Sequence, residues 1–159
     1  EDIVQMELIK AYNLRPIRAE PLVELSRLNR LNGRPAAAYI FAKKAVELDF
    51  PVNDILFISE DVYKFVALDE LGATAFFAGK PHEGYAACRK LLEENRIPQE
   101  HAERVKTNLD EYVKVLSQIG DTEVQKINSQ LRDMSNKQKV DALKQKVNNR
   151  TFKKRKVKK

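Results

Sequence analysis

Two arginines set around a proline, in Arg15-Pro16-Ile17-Arg18, and Glu20 just beyond them are the residues best suited to chemistry in this chain. Guanidinium groups donate hydrogen bonds in pairs, so Arg15 and Arg18 can clamp a carboxylate or a phosphate. The same arginines can instead pair with Glu20 or Glu24 and brace a turn between helices, which needs no ligand. The spacing admits both readings. Catalytic signals are scarce. His82 and His101 stand alone at two helix starts, without metal-ligand spacing to another His or Cys. Cys88 reads as a small core residue rather than a nucleophile. The sequence holds no phosphate-binding glycine loop, zinc-protease motif or Ser-His-Asp pattern. The acid pairs Glu60-Asp61, Asp69-Glu70 and Glu93-Glu94 are neighbours in sequence. On a helix such neighbours diverge by about 100°, so they read as solvated surface. No catalytic residue, metal or cofactor is expected.

Charge divides the chain unevenly. The net charge is +6, yet residues 137–159 hold eleven Lys or Arg against the single acid Asp141, which leaves the preceding body mildly acidic. The end of this stretch, Lys153, Lys154, Arg155, Lys156, Lys158 and Lys159, admits three readings: a solvated end, a tether to nucleic acid or another anionic surface, or an import-like signal. Lone Phe152 supplies no series of aromatics for base stacking. No apolar run reaches the roughly 18 residues of a membrane span. One cysteine cannot form an internal disulfide, which predicts a reducing, cytoplasmic setting. The first residue is Glu1 rather than Met, so the expectation is a piece of something longer.

The elements that position these residues repeat. Gly33-Arg34-Pro35 recurs as Gly79-Lys80-Pro81, an offset of 46 residues. At that offset Leu22, Leu25, Tyr39 and Lys44 meet Leu68, Leu71, Tyr85 and Lys90. Self-similarity at a fixed period marks stacked units that bury their apolar faces against one another. A first helix is expected to about Tyr12, capped by Asp2 and Gln5, with Ile3, Met6, Leu8 and Ile9 as its apolar set. A second starts near Pro21 and stops at Asn32-Gly33, and Pro35 opens a third. The run Ile55-Leu56-Phe57-Ile58 is strand-like or one helical turn, in a connector expected to pack on the array. A fourth helix is expected from Ser59 to Ala78, a fifth from Pro81 to about Asn95 and a sixth from Pro98 to before Gly120. The stripe Val124, Ile127, Leu131 and Met134 suggests a seventh.

Leu22, Leu25, Ser26, Gly33, Ala38 and Ala45 resemble a tetratricopeptide repeat, and Leu68, Leu71, Gly72, Gly79, Gly84 and Leu91 repeat the arrangement. The small residues would let paired helices approach while the leucines fill the seam. The offset exceeds the usual period of about 34 residues because residues 49–59 are inserted. The positions where that family places a bulky aromatic hold Asn29 and Ala75. A narrower resemblance rests on Lys10-Ala11-Tyr12, Arg15-Pro16, Arg18-Ala19-Glu20-Pro21-Leu22, Ala38-Tyr39, Leu56-Phe57-Ile58 and Asp61-Val62-Tyr63. These are similar to the helical region behind the catalytic domain of some family 2 glycosyltransferases. That resemblance spans about residues 8–116 and implies an accessory part, since the sugar-nucleotide motif Asp-x-Asp is absent.

The expectation is an all-α fold of tetratricopeptide-like stacked antiparallel helical hairpins over residues 1–119. An amphipathic helix at 120–149 and a basic tail at 150–159 follow. In such arrays the first helix of each hairpin lines a concave face, so Arg27, Arg30, Asp69, Ala73 and Phe76 would border a shallow groove for a protein or peptide. Phe76 and Phe77 are adjacent, so one is expected in the core and the other in the open. The alternative function is association with nucleic acid or an anionic surface through the tail.

Overall fold

The computed structural model describes residues 2–118, 120 and 129. The chain divides into two compact units, Glu1–Leu116 and Ser117–Lys159. The expected seventh helix and the six basic residues of the tail lie outside the described residues. Among the described residues the protein is all-helical, with no strand. The order is α1 (Asp2–Leu14), α2 (Glu20–Leu31), α3 (Pro35–Val46), a π-helical turn (Val62–Val66) that runs directly into α4 (Ala67–Thr74), α5 (Pro81–Glu93) and α6 (Gln99–Gln118).

The two hairpins share one turn. Gly33 and Gly79 adopt φ of 70° and 67°, a conformation that glycine enters without a Cβ penalty. The next residues, Arg34 and Lys80, sit at nearly the same backbone angles, φ −114° and −118° with ψ 56° in both. In each turn two amide N–H groups reach back to close the helix end. Gly33 donates to the Arg30 carbonyl at 3.2 Å and Arg34 to that of Asn29 at 2.8 Å. Gly79 donates to Phe76 at 3.1 Å and Lys80 to Ala75 at 2.9 Å. These are the paired bonds of a Schellman cap, which satisfy carbonyls that a helix end otherwise leaves bare. Pro35 and Pro81 then open the next helices, where a missing N–H costs nothing.

Between the helices, small residues set the separation. Ala38, Ala42 and Ala45 are buried along α3 at spacings of four and three, with Ala45 in the cluster of Leu22 and Leu25 and Ala42 in that of Leu71 and Ala87. In the second hairpin Gly72 lies so near α5 that an added Cβ would meet Cys88 Sγ at 2.8 Å. Val105, Tyr112 and Leu116 bury one face of α6. Leu25, Leu91 and Leu116 are among the largest fully enclosed side chains, each contributing about 2 kcal/mol by leaving water.

Three expectations are corrected. The connector run is exposed rather than packed on the array: Ile55, Leu56 and Phe57 are 90%, 65% and 94% accessible. Along α1 only Leu8 and Tyr12 join the core, while Ile3, Met6 and Ile9 face solvent, because a single neighbouring helix covers one narrow stripe. The fourth helix ends at Thr74 rather than Ala78, and residues 75–79 form a turn.

Candidate binding groove

Two consecutive acids on α4 organise one groove. Glu70 is only 5% exposed and accepts from Arg30 of α2, with Nε to Oε2 at 3.0 Å and Nη2 to Oε1 at 2.8 Å. Ser26 Oγ donates to the same carboxylate at 3.4 Å, and Arg27 Nε stands 3.9 Å away. Asp69 accepts both bonds of Arg104 from α6, at 3.1 and 2.7 Å. Asp69 and Glu70 thus receive arginines from opposite sides. The solvated surface expected for this acid pair is replaced by two forked ion pairs, because a carboxylate leaving water needs a charged, hydrogen-bonding partner. These bonds raise the pKa of Arg30 and of Arg104, so both stay charged.

The paired side chains line a groove of about 650 Å³ together with Arg27, Phe77, His101 and Asn108. Arg27 is half-exposed, and its closer ion pair, with Glu24 at 2.9 Å, is 44% and 51% exposed. Phe77 is 62% exposed. Of the residues singled out from sequence, Arg27, Arg30, Asp69 and Ala73 border this groove. Phe76 lines the adjoining pocket, and Phe77 lines both. Neither phenylalanine is in the core, for Phe76 is 46% exposed. Both follow the end of α4, where helical periodicity no longer sends neighbours to opposite sides.

Arg15 and Arg18 lie elsewhere, between α1 and α2, against the connector. Arg18 donates to Glu20 at 2.9 and 2.8 Å, to Asp54 at 3.3 Å, and to the carbonyls of Leu56 at 3.4 Å and Phe57 at 2.5 Å. Arg15 also pairs with Asp54. Glu20 gathers further bonds from the Ser59 N–H at 3.1 Å and the Tyr63 hydroxyl at 3.0 Å. Burial pushes the Glu20 pKa up, but the Arg18, Ser59 and Tyr63 bonds outweigh it and hold the carboxyl below its ordinary value. Glu70, Arg104, Asn108 and Asp54 were not foreseen as site residues. Glu70 was the one with a sequence signal, since it repeats Glu24 at the 46-residue offset.

The acids of the groove are engaged in ion pairs with arginines, and His101 Nε2 stands 3.7 Å from Glu100 as an exposed pair. Among the described residues no group of three His, Cys, Asp or Glu is arranged to hold a metal ion. Cys88 is 1% exposed and burial pushes its thiol up to about 12, far from the thiolate a nucleophile requires. Among the described residues no helix is long and apolar enough to cross a membrane. No family model, curated protein or solved structure matches this chain.

Proposed function

We propose that this chain is a non-catalytic interaction module whose groove receives a polypeptide segment. The observation that carries the reading is the makeup of the inner face. It joins an exposed aromatic, Phe77, to the loosely held Arg27 and the amide of Asn108, on a wall stiffened by the Arg30–Glu70 and Arg104–Asp69 pairs. An exposed aromatic beside arginine is the usual anchor of protein recognition. Asn108, able to donate and accept, matches the backbone amide of an extended segment. Fixed walls lower the ordering cost of binding. The lining comes from α2, α4 and α6, alternate helices, as in a tetratricopeptide-like solenoid, and the duplicated hairpin turn supports the same arrangement. The glycosyltransferase-like resemblance of residues 8–116 extends the proposal: the module would serve as an accessory part beside a sugar-transferring domain.

Selection of peptides from a random display library on the full chain tests the reading. Peptides whose binding weakens about tenfold in Arg27→Glu or Phe77→Ala, with melting unchanged, would support it. Failure to enrich any peptide, or peptides indifferent to both substitutions, would overturn it.

A further inference from the structure

Beside the groove lies a smaller pocket of about 270 Å³, lined by Gly72, Ala73, Phe76, Phe77, Asn108, Glu111 and Tyr112. Its walls are largely aromatic. The Phe76 and Phe77 rings meet edge to face, with centroids 5.5 Å apart and planes at 80°, so they form a corner. Tyr112, itself buried at 2% exposure, closes the base with a third ring 6.1 Å from Phe76 at 60°. That third ring is rigid. The Tyr112 hydroxyl accepts from the Phe76 N–H at 2.9 Å and donates to the Gly72 carbonyl at 2.8 Å. At the rim stands the Glu111 carboxylate, 57% exposed and paired at 2.5 Å with Lys114 one turn along the same helix. An exposed pair of that kind is worth little and yields readily to another cation.

Rings set at 80° and 60° to one another, with a carboxylate at the rim, suit a particular guest. Each ring face carries the negative part of a quadrupole and attracts a cation, most strongly an alkylammonium partly stripped of water. The volume lies below that of ordinary small-molecule sites, which matches one side chain. Ala73, Phe77 and Asn108 border both the pocket and the groove, so the two are continuous. We infer that this pocket takes the ammonium end of a lysine side chain carried by the segment in the groove. The proposal rests on the peptide-binding reading and specifies its partner: a segment with a lysine at the α4–α6 end of the groove.

Its test needs no peptide. The full chain is titrated with Nα-acetyl-lysine N-methylamide, the trimethyllysine counterpart and the neutral norleucine counterpart, following the Phe76, Phe77 and Tyr112 ring resonances by NMR. At least one cationic probe is expected to shift these rings at about a tenth of the concentration the norleucine probe requires. Phe77→Ala should abolish that response and Glu111→Gln should weaken it several-fold, with the remaining amide spectrum unchanged. Equal responses to all three probes, no response, or variants that respond like the parent would overturn the cage. Peptide selection on the groove would then still decide the wider reading by itself.

Discussion

The Tyr112 ring fills the space that any side chain at position 84 would need: a Cβ on Gly84 would stand 2.1 Å from Tyr112 Cζ and 2.2 Å from its hydroxyl oxygen. The ring cannot retreat freely, because its hydroxyl is bonded to both Phe76 and Gly72. Gly84→Ala is therefore expected to cost about 3 kcal/mol in urea unfolding, at the upper end for overpacking. Gly84→Ala combined with Tyr112→Leu should recover part of that loss, and a double variant no better than the single would refute the contact.

Arg30 and Glu70 provide a second test. Removing the arginine strands a carboxylate that is 5% exposed, left with Ser26 at 3.4 Å and Arg27 at 3.9 Å. Arg30→Met should lower stability by about 2 kcal/mol, less than a wholly buried pair because Arg30 itself is partly open. The double variant Arg30→Met with Glu70→Leu should regain most of it. Urea midpoints of the three proteins decide the matter.

Phe57 holds φ of +57°, a region that bulky residues enter at a cost, and its side chain is exposed. Glycine accepts this conformation and valine does not. Phe57→Gly should therefore exceed Phe57→Val in stability by about 1 kcal/mol, measured by thermal melting. Equal melting temperatures would mean that the left-handed turn is not maintained in solution.

Acid should loosen the connector. Glu20 and Asp54 both titrate below their ordinary values in the folded chain, so near pH 4 the unfolded state binds more protons. Their contribution is complete above an ordinary carboxyl value of about 4.5 and is lost as pH falls through the lower folded-state values. Glu20→Gln should flatten the acid side of the melting profile below about pH 5 while leaving the shape above it unchanged. A variant profile parallel to the parent's throughout would show that Glu20 is not the group responsible.

What could be read from sequence was what local chemistry decides. A glycine followed by a proline two residues on specifies the same turn wherever it occurs, and it appears at Gly33 and again at Gly79. Small residues marked as approach points, Ala38, Gly72 and Gly84, are buried where helices meet. What escaped depended on partners far along the chain. Glu70 reads as surface until Arg30, 40 residues earlier, is beside it. The apolar run at 55–57 reads as core until Arg18 draws the Leu56 and Phe57 carbonyls inward. Adjacent Phe76 and Phe77 lie just past the end of α4, where helical spacing no longer sends neighbours to different faces.

Arg18 also has a mechanical consequence. It sits before the first hairpin and grips Asp54, Leu56 and Phe57 after it, so the chain from 18 to 57 is closed into a ring by side-chain bonds as well as by packing. Tension applied along the chain at these two points is borne first by a handful of guanidinium bonds, and α2 and α3 are shielded until those bonds part. The first hairpin is thus fastened like a buckled strap, whose release requires parting the bonds of Arg15, Arg18 and Glu20 rather than the peeling of a helix.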